Sequence, residues 1–156
     1  MQMRNQRGFT LLELLVVLVI VGLMLGAVSL NAMPSDLQRL QNDSRRIALL
    51  LQLAREEAIV RNLPVAFEAD QTGYRFLVRE DRVWTPIKDD MLRERGFQLP
   101  SVQLQVEPPL VNVAVDAHVR IVFGHEPVDK PFVLTLRTAD QAVRLTADGI
   151  GHFDVE

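Results

Sequence analysis

The chain has no cysteine among its 156 residues. Neither a disulfide framework nor thiolate chemistry is open to it, so any folded domain must be held by packing alone. It also has no surplus of basic charge: 17 Lys and Arg face 20 Asp and Glu, a formal net charge of -3, and residues 35 to 156 carry 15 against 19. A nucleic-acid binder needs a basic patch, so no nucleic-acid partner is expected. Catalytic fingerprints are missing too: there is no Gly-x-Ser-x-Gly elbow, no P-loop and no dinucleotide-binding glycine pattern. The three histidines, His118, His125 and His152, are spaced by seven and twenty-seven positions. That is not the spacing of a helical metal pair, and isolated strand or loop histidines are mostly structural. The adjacent carboxylates Glu56-Glu57 and Asp89-Asp90 read as a solvated helix face and a loop, because acid–base catalysis would need a cleft and perturbed acidity. The expectation is a non-enzyme with no metal and no cofactor.

What the chain does have is one long apolar run. From Phe9 to Leu30 the only charged residue is Glu13, and a helix over that stretch would cover about 33 Å, enough for a hydrocarbon core of about 30 Å. Arg4 and Arg7 precede the run and no further basic residue occurs until Arg39, which predicts a cytoplasmic N-terminus and an exported remainder. A cleavable secretory signal is the rival reading, but its apolar core would be about 7 to 15 residues long and end at a small-x-small site. Leu30-Asn31-Ala32 lacks the first small residue. Glu13 is the anomaly, since an ionisable group inside a span costs roughly 2.5 to 3.5 kcal/mol. Either it sits at headgroup level and stays wet, or it has a partner.

The stretch Arg7-Gly8-Phe9-Thr10-Leu11-Leu12-Glu13-Leu14-Leu15-Val16-Val17 resembles the class III signal of type IV prepilins and type II secretion pseudopilins. The resemblance implies that a prepilin peptidase cuts between Gly8 and Phe9 and methylates the new amino group of Phe9. Glu13 then serves assembly: an amine on one subunit would neutralise the carboxylate of its neighbour and make it tolerable in lipid. Phe9 and Glu13, four apart, share a helix face.

Further along, Pro34-Ser35-Asp36 interrupts the helix and offers a fresh N-cap. Leu37, Leu40, Ser44, Ile47, Leu51, Ala54 and Ala58 then recur at helical spacing as far as Arg61-Asn62. The stripe suits the inner face of a helix packed on a sheet better than a coiled coil, which would need a longer and less interrupted repeat. From Pro64 the period becomes that of strands: 65–69, 74–79 and 82–85 form a meander, with turns at 70–73 and at Glu80-Asp81. Residues 86–101 read as a charged surface loop with at most one helical turn. Strands are expected at 102–107, 111–115, 119–123, 132–138, 141–147 and 150–155, folding into a second sheet packed on the first. Trp84 marks either a contact surface or a half-buried strand position.

The fold class is therefore α+β and pilin-like, with a long N-terminal membrane-spanning then amphipathic helix packed on antiparallel sheets. The segments expected are a leader at 1–8, a transmembrane helix at 9–33, an amphipathic helix at 34–62 and a β-rich periplasmic domain at 63–156.

Within that group, Leu53-Ala54-Arg55-Glu56-Glu57-Ala58-Ile59-Val60-Arg61-Asn62 leading into Pro64-Val65, with Gly73-Tyr74-Arg75-Phe76, Val83-Trp84 and the turn at Asp148-Gly149, is similar to the H-type minor pseudopilins of the type II secretion system. FimT/FimU minor pilins come next. The resemblance implies other minor pseudopilins, the major pseudopilin, prepilin peptidase and inner-membrane lipid as partners, in the inner membrane of a Gram-negative bacterium. The function implied is that of a pseudopilus subunit near the filament tip, in export of folded proteins. The alternative is a minor pilin that primes a type IV pilus or captures DNA; the acidic ending Phe153-Asp154-Val155-Glu156 counts against DNA capture. Asp140 and Asp148 resemble part of the calcium loop of major pseudopilins, but no oxygen-rich run accompanies them.

Overall fold

The computed structural model describes residues 10–30, 34–109 and 118–156, with side chains described for all of these but 27–30. The chain divides into two compact units, Met1–Ser35 and Asp36–Glu156.

In the first unit, helix α1 runs Leu11–Leu30. Thr10 caps it, its Oγ1 accepting the Glu13 backbone N–H at 3.3 Å. The apolar side chains of α1 are exposed all round, from 44% at Val21 to 85% at Leu11. A helix with no polar face needs an apolar surrounding that the unit itself does not supply. Among the described residues no helix is long and apolar enough to cross a membrane. For α1 the described side chains end at Gly26, about 24 Å along the axis, whereas its 20-residue backbone helix amounts to about 30 Å.

In the second unit, helix α2, Asp36–Arg61, buries Leu40, Asp43, Ser44, Ile47, Ala48, Leu51, Ala54 and Ala58. The expected stripe is there, with two corrections. Leu37 is 37% exposed, one turn too early to reach the sheet, and Asp43 lies wholly inside. The helix ends where Asn62 takes a left-handed conformation (φ 55°). The N–H of Asn62 reaches the Ile59 carbonyl at 3.3 Å and that of Leu63 the Ala58 carbonyl at 3.2 Å. This pair of bonds satisfies carbonyls the helix leaves open, and Pro64 prevents its continuation.

Strands β1 (Val65–Ala69), β2 (Gly73–Glu80) and β3 (Val83–Pro86) form the expected meander. Its second turn lies at Asp81-Arg82, one residue later than the sequence suggests. Both residues have positive φ, 47° and 68°, the geometry a two-residue hairpin requires. In the first turn Asp70 Oδ1 accepts Thr72 N at 2.6 Å and Gly73 N at 3.0 Å.

The 86–101 segment corrects the surface-loop expectation. It contains no helical turn, its strand β4 (Arg95–Gly96) pairs with β2, and Ile87, Leu92 and Leu99 are buried. A Cβ on Gly73 would run into the Arg95 carbonyl, so glycine is what lets β4 come alongside.

Strand β5 is Gln103–Glu107; the expected strand at 111–115 lies outside the described residues. Strand β6 (Val119–Phe123) joins the first sheet rather than the second, pairing antiparallel with β1 to give the order β3-β2-β1-β6. Because β1 is buried at all five positions it needs a partner on each side. The second sheet is β5-β7-β8-β9, with β7 Phe132–Arg137, β8 Ala142–Ala147 and β9 Phe153–Val155. Its buried residues, Phe132, Leu134 and Leu136 on β7 and Val143, Leu145 and Ala147 on β8, alternate with exposed or half-buried neighbours. Strand β9 starts three residues later than expected, because Asp148 engages the backbone before it. Helix α2 packs against β1, β6, β8 and β9, and one core joins helix and sheets. Its rings include Phe67, Tyr74 and Phe76, with centroids 5.5 to 6.3 Å apart.

Candidate functional site

Of the site residues expected from the sequence, Gly8 and Phe9 lie outside the described residues. Glu13 is placed in the first turn of α1 and is exposed. Thr10-Leu11-Leu12-Glu13 is a capping-box sequence, which the motif reading passed over. Only half of that box is present: Thr10 accepts from Glu13 N, and the Glu13 carboxylate has no partner among the described residues. A carboxylate at a helix N-terminus is favoured by the helix dipole by roughly 0.3–1 kcal/mol, less than the cost of placing it in lipid.

Among the described residues of the second unit, three polar constellations stand out. Asp43 is 0% exposed; it accepts the Gln98 backbone N–H at 2.8 Å and the Gln98 side-chain amide at 3.2 Å, with Arg46 at 3.8 Å. It pins the 86–101 segment onto α2. The sequence carried a signal for it, because residue 43 falls three after Leu40 and four before Ile47, on the apolar stripe.

Arg55 ties α2 to the 124–131 loop. Its Nε reaches Asp129 Oδ2 at 3.1 Å and its Nη2 donates to the Pro127 carbonyl. Burial pushes the Asp129 carboxyl up despite the Arg55 charge beside it. Next to it, Asp148 Oδ1 accepts the backbone N–H groups of Ile150, Gly151 and His152 at 2.8, 3.1 and 3.0 Å, and His152 Nδ1 lies 2.6 Å from Oδ2. Slight desolvation opposes ionisation there. The His152 contact and the backbone donors outweigh it and hold the carboxyl at about 2. Gly149, at φ 83°, allows this turn to close against the Asp129 backbone. Its lone pairs so occupied, Asp148 is a loop clasp.

The third constellation covers the outer face of the first sheet. The register sets Glu68 between Arg75 on β2 and Arg120 on β6. Arg75 Nη2 is 2.6 Å and Arg120 Nη2 2.5 Å from its two oxygens. Burial would raise the Glu68 carboxyl, but the two guanidinium hydrogen bonds outweigh that and hold it below its ordinary range. Trp84 is half-buried on β3, with the guanidinium carbons of Arg79 and Arg120 each 5.9 Å from its ring. Beside this face lies a cavity of about 100 Å³ lined by Glu68, Asp70, Arg75, Glu94 and His118, smaller than the roughly 300 Å³ at which ligand pockets begin. Among the described residues no group of His, Asp or Glu is arranged to hold a metal ion.

An apolar N-terminal helix, followed by an amphipathic helix clasped by antiparallel sheets, defines the pilin-like class of subunit. The prokaryotic N-terminal methylation motif matches residues 3–29, and the family described as type II transport protein GspH matches residues 43–151. The type II secretion system protein H of Aeromonas hydrophila is 29% identical, the alignment covering 92% of this chain and 87% of that protein. Among solved structures, the minor pseudopilin EpsH from the type 2 secretion system of Vibrio cholerae aligns with a TM-score of 0.57 at 21% identity, over 76% of this chain and 96% of that one. The type IV minor pilin FimU of Pseudomonas aeruginosa gives a TM-score of 0.53 at 17% identity, over 75% and 87%. Both share the fold. The chain belongs to the type II transport protein GspH family, the H-type minor pseudopilins. Motif and family together make it a membrane-anchored periplasmic protein that works in protein transport.

Proposed function

We propose that this chain is cut between Gly8 and Phe9 by a prepilin peptidase, methylated at Phe9, and held by α1 as a single span of the inner membrane, N-terminus in the cytoplasm, until it enters a periplasmic pseudopilus near its tip. The leader would be residues 1–8, the span 9–33, the amphipathic helix 34–62 and the periplasmic domain 63–156. In the filament it would contact the major and other minor pseudopilins and assist export of folded proteins through the outer membrane. No catalytic step is assigned to it.

The observation that carries the reading is the Glu13 carboxylate, left without a partner among the described residues in a helix otherwise apolar. A newly exposed amine at Phe9 of a neighbouring subunit is a chemically suited partner, since a lone charge in lipid is tolerated once paired. Mass spectrometry of the protein from cells that make the peptidase should find a mature chain beginning at methylated Phe9. A chain still beginning at Met1 overturns the reading. Glu13→Gln separates pairing from capping: glutamine completes a capping box as well as glutamate does but offers no charge, so failure of the Gln variant to enter filaments supports pairing and normal entry refutes it.

The likeness to FimU keeps a pilus reading as second. Deleting the gene should abolish secretion while leaving twitching intact; the reverse outcome favours the pilus.

A further inference from the structure

On the outer face of the first sheet, Ala66 and Leu77 are buried, at 0% and 4% exposure. Yet they stand apart from the core cluster that α2, Ile87, Leu92 and Leu99 share with the other face. Among the described residues, the elements that share the core pack on that other face, so among these what covers Ala66 and Leu77 is long side chains of the sheet itself. Register and ring geometry say which. Arg120 on β6 and Trp84 on β3 are separated by β1 and β2, but the guanidinium stands 5.9 Å from the ring centroid. Both side chains therefore lie flat across the rows that contain Ala66 and Leu77.

Among the described residues that the register sets on this face, Arg75, Arg79 and Arg120 meet one carboxylate, Glu68, whose two oxygens Arg75 and Arg120 already fill; Glu94 lies at the cavity beside Arg75, and Arg79 has no carboxylate partner among the described residues. Arg79 is exposed, and among the described residues its contact is the face of Trp84. Two guanidinium groups on one ring repel each other, and a second carboxylate would relieve that.

We propose that this face docks an acidic segment of a partner protein, its carboxylates meeting Arg79 and Arg75 and its apolar side chains resting on Trp84. A peptide suits the face better than a nucleic acid, because three arginines are too few to track a continuous phosphate backbone and a single aromatic ring offers no run of stacking platforms. The surface belongs to the folded domain and does not depend on how the N-terminus is processed.

Trp84 is the only tryptophan of the chain, so its emission reports on this face alone. With the full-length protein in detergent micelles, a short peptide alternating glutamate and leucine should change that emission saturably, and the corresponding lysine–leucine peptide should not. Arg79→Glu should weaken binding by about tenfold, the loss of one charge-assisted contact. Arg79→Lys, and Arg137→Glu on the second sheet, should stay within about twofold of wild type, which separates the face from net charge and from misfolding. Absence of saturable binding, equal weakening by Arg79→Glu and Arg137→Glu, or tighter binding of a single-stranded oligonucleotide overturns the proposal.

Discussion

Glu13 in α1 and Asp43 in α2 each put a carboxylate among apolar helical neighbours, yet among the described residues only the Asp43 carboxylate finds hydrogen-bond donors. Asp43 has no exposed surface and accepts two hydrogen bonds from Gln98. Glu13 is exposed, and its carboxylate has no partner among the described residues. A buried acid with its donors in place fixes one tertiary arrangement, here the seating of the 86–101 segment on α2. An acid left open in an apolar helix contributes nothing to the fold of its own unit. The same chemical group is thus a clasp in one helix and, among the described residues, without a partner in the other.

Removing each acid should separate the two roles. Glu13→Ala is expected to leave thermal unfolding of the Asp36–Glu156 unit unchanged and to lower recovery in sheared filaments about a hundredfold, from the few kcal/mol at stake for an unpaired charge in lipid. Equal recovery of mutant and wild type would erase the contrast. Asp43→Ala should do the opposite: it strands the Gln98 N–H groups in the core and costs about 2–4 kcal/mol of domain stability in urea unfolding. Asp43→Asn, which keeps an acceptor, should cost about half as much.

The comparison also marks what could be read from the sequence. The apolar run from Phe9, the start of α2 at Asp36 and the β1-β2-β3 meander follow from local rules of charge, capping and period-two alternation, and the N-terminal motif from its resemblance to prepilin signals. The seating of 86–101 did not, because it depends on a bond between residues 43 and 98 and on the missing Cβ of Gly73 beside Arg95. Local polarity marks that segment as loop, and three buried residues, Ile87, Leu92 and Leu99, overrule it. Likewise, β6 has the pattern of any half-buried strand, and only the demand of a fully buried β1 for a second neighbour puts it in the first sheet. The Trp84 face was legible only as one aromatic residue. Its arginines come from β2 and β6, and periodicity carries no information about which strands become neighbours.

Two further acids extend the contrast and respond to pH in opposite directions. Glu68, held below its ordinary value of 4.5 by Arg120 and Arg75 against the cost of burial, contributes stability that is present above that value and lost as pH falls through its lower folded value. Acid titration of the Trp84 emission should show this loss in the wild type, and Glu68→Gln should flatten that limb. Asp129 is raised by burial more than Arg55 lowers it, so its ionised form opposes folding and acidification favours it. The 3.1 Å contact with Arg55 suggests a strong pair, but the raised carboxyl shows that desolvation consumes the gain, as it commonly does for partly buried ions. Asp129→Asn, which retains an acceptor for Arg55, should therefore change stability by less than about 1 kcal/mol at neutral pH. A loss of several kcal/mol in urea unfolding would mean that Asp129, like Asp43, is a clasp the domain cannot do without.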